Sequence, residues 1–593
     1  MTHDSTIPQV FPGLPIGMSV FEELRRENSV YVDKTMYFHE LLKEGKVVFF
    51  ARPRRFGKSL TVSALDAFCS GRVELFRGLA AERHMRSPDF VARPVVRLDM
   101  SMVAGGDSID ALSGKIRHFL GLNAERHNVS LQGANYAIAF SSLLKDVHKS
   151  TGKRVVVLID EYDTPILNLK GPEMEFSSPK LLSETRIVMQ NLYSKIKYSE
   201  SEIETAFITG ITKSTLNNWY FGINNFIDIS LSEKYKTLTG FTQEELELYF
   251  APFIAATAVK LRMSEQNLLD EIRERYSGFS FDGRQMLYSP FSILTFFREE
   301  RFKNYSMEAD TEIFLRNFMK NSSMTADHFQ GRNVSRNLAR SLGKIDDTSP
   351  QSVFYQSGYL SLRAESGEME SPASEERFSL EYPNLEVRGT VSRLFLETVG
   401  LDRRSIDVAA DELPKCLASG DISGMAKVLS GLLAGIRYHD RLDLLISLLV
   451  RTAKKIIGKI TGRDFRAGPV QEQFQNQADK LERSRGESYY RSLLQACLWM
   501  AGARVAPELP KNIGQLSLEV FFHDLTYVFG LRMTKNARGA VATVREGMKQ
   551  IRSVGYVPDS KNPVLVSIAI GRAERNIVGC LFEKDGHESV VKV

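Results

Sequence analysis

The chain has 593 residues, 43% hydrophobic and 25% charged, a globular balance with ample apolar material and a length that predicts about three or four domains. A formal net charge of +5 and an isoelectric point near 8.7 permit nucleic-acid binding without arguing for it. Cys69, Cys416, Cys497 and Cys580 are scattered without CxxC spacing, MTHDSTIPQVFPGLPIGMSV lacks the pattern of a secretory leader, and no stretch reaches about 18 apolar residues, so a disulfide framework, a zinc site and a membrane span are excluded and a cytoplasmic protein is expected.

The first segment, FEELRRENSVYVDKTMYFHELLKEG, mixes helical spacing with a short YVDKT stretch. It leads into VVFFA, Val47–Ala51, an apolar run of strand type. RPRRFGKS, Arg52–Ser59, follows, and then LTVSALDAF has helical spacing, giving the order strand, tight loop, helix. Pro94–Met100, Arg154–Asp160 and Glu204–Thr212 read as three more strands, separated by long helical stretches. Strands that alternate with helices and are apolar on both faces predict an α/β fold with a parallel sheet covered on both sides.

Near residue 240 the character changes. Thr242 with Glu245 three positions on gives a capping-box pattern, and helices dominate to about residue 345. Ala364–Phe378 is small, polar and acidic and reads as an exposed loop. Residues 400–480 are mainly helical, with LLISLLV, Leu444–Val450, as a buried helix. From Glu487 the pattern becomes a helix, short strands, a helix and another strand.

The chemistry is concentrated in the first half. A phosphate-binding loop needs backbone N–H groups aimed at anionic oxygens where a helix begins. Gly57 permits the close approach, Lys58 would reach the β- and γ-phosphates, and the Ser59 hydroxyl would ligate magnesium. The general pattern has Gly where this chain has Arg52, and the bare alternative is a basic surface loop that contains Gly-Lys-Ser. VVVLIDEYD supplies the other half: Asp160 at a strand end would hold magnesium, and Glu161 would orient and deprotonate the attacking water. Together these predict binding of ATP with magnesium. The candidate nucleotide-binding residues are Arg54, Arg55, Phe56, Gly57, Lys58, Ser59 and Leu60. Metal ligands are Ser59 and Asp160; catalytic residues are Lys58, Glu161 and Thr209. Thr209, in ITGITKST, is either a contact to the γ-phosphate or attacking water, or a strand-terminating cap. Arg54 and Arg55 either neutralise phosphate charge or are solvated.

The chain resembles the bacterial and archaeal AAA-ATPase-like proteins that carry a C-terminal PD-(D/E)xK nuclease-like domain. The resemblance rests on LPIGMSVFEEL, YVDKT, RPRRFGKSL, VLIDEYDTPI, FITGITKSTL, NNFIDISL, GFTQEELELYF, RYSGFSFDG, LYSPFSIL, FYQSGYLSL and YPNLEVR. In that family Arg-Pro-Arg-Arg-Phe-Gly-Lys is the usual loop, so Arg52 is no departure. The resemblance implies a P-loop core with a helical lid, and ATP-driven switching in defence or mobile-element biology. It extends from ESYYRSLLQACLWMAGARV to the end of the chain. There the family's GRxDL and YxFExK phrases match GQLSL and YVFGLRM, so that Ser517, Gly530 and Arg532 stand where the nuclease Asp, Glu and Lys are expected. Glu487, Glu508 and Gln550 match family positions, and Asp524 suits a hairpin turn. This implies a nuclease-like domain without cleavage.

The resulting domain expectation is an N-terminal segment (1–45) on the core, a P-loop ATPase core (46–240), a helical lid (241–345), a mainly helical middle region (346–480) and the nuclease-like domain (481–593). Tyr276, Gly278, Phe279 and Phe281 in RYSGFSF are candidates for the lid, against ordinary core packing. The leading function is an ATP-hydrolysing switch; the alternative is a nucleotide-gated protein- or nucleic-acid-binding module with negligible hydrolysis. A C-terminal nucleic-acid or protein partner, a homo-oligomer and an arginine supplied in trans are all compatible with the sequence.

Overall fold

A computed structural model describes residues 12–103, 108–167, 169, 179–211, 226–305, 315–316, 319, 332–335, 354–364, 377–435, 486–506, 517–553 and 563–591. Thr212–Thr215, Leu444–Val450, Glu508 and the centre of the Ala364–Phe378 stretch lie outside them. The chain forms two compact units, residues 1–314 with 329–387, and residues 315–328 with 388–593. No helix among the described residues is long and apolar enough to cross a membrane.

The first unit is built on a five-stranded parallel sheet: β1 (Val47–Ala51), β2 (Val95–Asp99), β3 (Val155–Asp160), β4 (Ile203–Gly210) and β5 (Ile227–Asp228), in the order β2-β3-β4-β1-β5. Because side chains alternate along a strand, both faces must be covered. Val47, Phe49 and Ala51 face one core, which they share with Ile116, Phe140, Leu143 and Leu192 of the long helices. Val48 and Phe50 face the other, with Phe21, Phe38, Leu65 and Phe68. The N-terminal segment is thus part of the second core.

The covering helices begin where local chemistry satisfies their first N–H groups. Ser108 accepts from Ala111 N to open Ile109–Arg126, and Asn135 accepts from Ala137 and Ile138 to open Tyr136–Thr151, which ends at left-handed Gly152. Thr242 and Glu245 form the capping box read from the sequence. Glu245 also pairs with the buried Lys34 ammonium at 2.5 Å, tying YVDKT to the helix Gln243–Tyr249.

The helices Gln243–Tyr249, Ala251–Leu261, Glu265–Tyr276 and Pro290–Glu299 share a core with Val30 and Val32. Beside them β6 (Arg332–Ser335), β7 (Ser361–Ala364) and β8 (Arg377–Glu381) form a small antiparallel sheet, so the stretch expected to be a loop begins and ends in strands. Gly278 has φ 101°, and a Cβ there would lie 1.9 Å from the Pro383 carbonyl oxygen. Gly278→Ala is therefore expected to destabilise the first unit by roughly 3 kcal/mol or more, through strain and backbone collision together. Denaturant unfolding checks this; an unchanged midpoint would show that the close approach is dispensable.

The second unit carries a six-stranded sheet: β9 (Arg504–Val505), β10 (Ser517–Phe522), β11 (Leu525–Thr534), β12 (Val564–Gly571), β13 (Asn576–Lys584) and β14 (His587–Val591), in sequence order. Only β11 and β12 among these neighbours run parallel. A parallel pair needs a crossover, and the helix Ala540–Ser553 supplies it. Arg403–Ser419 and Ile422–Leu433 are helices, as the sequence pattern predicts.

Candidate functional site

β1 hands the chain to the loop 52–57, which opens the helix Lys58–Cys69. Gly57, the N-cap, has φ 86° and ψ 18°, a left-handed conformation that a residue without Cβ adopts cheaply. Among the described residues no side chain caps this helix, and its first backbone bond runs from Thr61 N to Gly57 O at 3.0 Å. The N–H groups of Gly57, Lys58, Ser59 and Leu60 therefore precede the ladder, at the end of the helix that favours an anion.

Lys58 is only 4% exposed, and its Nζ donates to the carbonyls of Arg52 (3.0 Å) and Pro53 (2.9 Å). Burial pushes its ammonium down, while Glu161, Asp160 and Asp163 favour the charged form. An ammonium has three donors, so one remains beyond the two loop carbonyls.

The acids come from the end of β3. β4 lies between β1 and β3 and brings Thr209 beside Asp160. Asp160 is 1% exposed; its Oδ1 accepts from Thr209 Oγ1 (2.5 Å) and Glu161 N (3.1 Å). Among the described residues its Oδ2 is buried without a hydrogen-bond partner. A buried carboxylate oxygen in that position costs free energy unless a cation or a donor meets it, which fits a magnesium ion or its water. Glu161 follows at φ 49°, and its Oε2 accepts from Thr164 Oγ1 at 3.0 Å. Burial pushes its carboxyl up, with Lys58 opposing.

The structure places the remaining candidates as follows. Arg54 acts electrostatically on both Lys58 and Glu161. Arg55 turns elsewhere: Nη1 donates to Tyr305 O at 3.1 Å and the guanidinium lies 4.0 Å from the Phe291 ring centre. Phe56 is buried edge-on to Phe279 (4.9 Å) and Phe281 (5.6 Å). Ser59 is half-buried in the first turn, and Leu60 is partly buried against the Phe50 core. Thr209 directs its hydroxyl to Asp160, a positioning contact.

Sequence reasoning missed Asp163. It is fully buried, accepts from Ile211 N at 3.1 Å, and acts on Lys58. The signal was available, since a second Asp stands three positions after Asp160 in the same IDEYD phrase. Asp160, Glu161 and Asp163 thus all act on Lys58, but no three acids among the described residues converge as a metal cage, so a magnesium ion held by Ser59 and Asp160 would need phosphate oxygens and water as further ligands.

In the second unit, Ser517 lies opposite Gly530 across β10 and β11. A Cβ at Gly530 would meet Ile551 Cδ1 at 2.8 Å, so the buried face of the helix Ala540–Ser553 fills the position. Arg532 donates to Gln550, and Glu487 Oε1 accepts from Met533 N at 3.0 Å. Asp524 is exposed in the two-residue turn between β10 and β11. Arg552 pairs with Glu583 (2.6 Å) and Glu588 (2.8 Å).

The chain is similar throughout its length to a protein of Azotobacter chroococcum mcd 1 described as an uncharacterized protein in the vnfD 5' region, with 27% identity over 580 residues, 97% of this chain and 99% of the relative. Residues 15–219, which include β1 to β4, the Lys58 loop and the Asp160 strand end, match the AAA-ATPase-like family model described as Predicted AAA-ATPase.

Proposed function

We propose that the first unit binds ATP with magnesium and hydrolyses it, acting as a nucleotide-driven switch. The observation that carries this reading is the buried Lys58 ammonium at the start of a helix, within electrostatic reach of Glu161 and of Asp160, whose Oδ2 is buried and has no hydrogen-bond partner among the described residues. In this reading the N–H groups of residues 57–60 hold phosphate oxygens and Lys58 places its charge on the β- and γ-phosphates. Ser59 and Asp160 would hold magnesium, which offsets phosphate charge when bound. Glu161 accepts the proton of the attacking water, and Thr164 orients its carboxylate. Thr209 holds Asp160 in place, and Asp163 fixes the end of β4 through Ile211 N. Steady-state phosphate release, with and without nucleic acid, tests the reading. ATP binding without release would favour the nucleotide-gated binding module instead.

The second unit fits a nuclease-like scaffold that does not cut. Phosphodiester cleavage needs acids that hold metal at the scissile phosphate. Position 530 has no side chain and faces Ile551, and 517 is Ser. Arg532 retains positive charge, which suits binding better than hydrolysis. Supercoiled, linear and single-stranded substrates should stay intact with ATP and either magnesium or manganese. Cleavage that persists in Lys58→Ala but vanishes on mutating Glu508 or Asp524 would reveal a relocated metal site and overturn this reading.

A further inference from the structure

We propose that Arg52 is the positioning residue of the phosphate loop: its buried guanidinium, clamped between Phe50 and Phe281, fixes the carbonyl that receives Lys58, and so makes the aromatic segment 278–281 a determinant of nucleotide affinity. The inference rests on the nucleotide reading above and deepens it.

Arg52 is 1% exposed. Its Nη1 donates to Ala51 O (2.9 Å) and Ser230 O (2.6 Å). The guanidinium carbon lies 4.3 Å from the Phe50 ring centre and 3.9 Å from that of Phe281. Arg52 N donates to Gly210 O at 3.2 Å, next to Thr209, and Arg52 O accepts from Lys58 at 3.0 Å. One residue therefore joins β1, the end of β4, the Lys58 ammonium and Phe281.

Two further contacts grip the same loop. Phe56 packs on Phe279 and Phe281, and a Cβ at Gly358 would lie 2.8 Å from Pro53 Cβ. The gripping segment is itself held: Arg363 Nη1 donates to Gly278 O at 2.7 Å, and Ser280 N donates to Ser361 Oγ at 2.7 Å.

Stability alone is a poor account of this arginine. Among the described residues its Nε and Nη2 are buried without hydrogen-bond partners. Burial works against its charge, and Tyr355, Asp228 and Asp282 only partly offset that. An apolar side chain of similar reach would avoid these costs, set against the loss of the Nη1 bonds to the Ala51 and Ser230 carbonyls. What Met cannot supply is a planar cation whose Nη1 reaches two carbonyls while its faces lie against two rings.

The test compares Arg52→Met and Phe281→Leu with the native full-length chain, by calorimetric titration with magnesium and a non-hydrolysable ATP analogue and by thermal melting. Arg52→Met is expected to melt no lower than the native protein yet bind the analogue about tenfold or more weakly, the scale of one charged hydrogen bond. Phe281→Leu should weaken binding in the same direction. The double variant should bind no more weakly than Arg52→Met, because both changes break one clamp. A merely structural role would lower melting and leave affinity untouched. A folded Arg52→Met protein with native affinity overturns the inference; if that variant does not fold, native affinity in Phe281→Leu overturns it. Lys58→Ala separates the two readings. If it loses binding while Arg52→Met retains it, only the role of Arg52 fails. If the native chain binds no ATP, the nucleotide reading fails and this inference with it.

Discussion

Lys58→Ala is expected to weaken ATP binding by about 10- to 150-fold, the equivalent of roughly 1.5–3 kcal/mol for a lost hydrogen bond to a charged group. The ammonium is almost fully buried, so its charge on a phosphate would be little screened by solvent. The substitution also removes the donor that joins the Arg52 and Pro53 carbonyls, loosening the loop that presents the helix start. Asp160, Glu161 and Asp163 would then face an incoming polyphosphate with Arg54 as the nearby cation whose influence reaches this cluster. Each change acts against an anionic ligand. Isothermal titration with ATP and magnesium measures the effect, and a melting curve shows that the variant is folded. Native affinity in a folded Lys58→Ala protein would remove the nucleotide assignment altogether.

What was legible in the sequence depended on how local its cause was. Val47–Ala51 coincides with β1, and Arg154–Asp160 and Pro94–Met100 each differ from the observed strand by one residue at one or both ends. These runs are apolar on both faces because the sheet is covered on both faces, so burial writes itself into composition. Thr242 and Glu245 act within a single turn, and their spacing alone predicts the cap. Strand order was not legible. That β4 separates β1 from β3, and so carries Thr209 to Asp160, depends on crossovers through distant helices. β5 has only two residues and no periodicity to read. Arg52 and Arg55 show the limit at side-chain scale. Arginines are mostly exposed, so of the loop's three, Arg54 and Arg55 read as partners of phosphate or of solvent, and Arg52 only as standing where the general pattern has Gly. Two of the three instead stack on aromatic rings, at Phe50 with Phe281 and at Phe291, all but Phe50 coming from segments more than two hundred residues away. The Ser517, Gly530 and Arg532 positions were legible as types, but that Ile551 fills the space beside Gly530 required the fold.

Glu161→Gln should separate binding from turnover. The amide has the shape of the carboxyl, so the φ of 49° and the contact from Thr164 Oγ1 to the side-chain oxygen can both persist. Ser59, Asp160 and Lys58 are unchanged, and ATP with magnesium should still bind. The amide cannot accept the proton of an attacking water, so phosphate release should fall by about ten- to ten-thousand-fold, the range for a positioned acid–base group. Burial already pushes the native carboxyl up from its ordinary value, toward the basicity a proton acceptor needs, and Lys58 keeps it from rising further. Titration calorimetry and single-turnover phosphate release on the same preparation give the two readouts. Retained binding with slow release identifies Glu161 as the base. Native turnover in Glu161→Gln would exclude it and turn attention to Asp163, which with Asp160 is one of two further buried acids acting on Lys58.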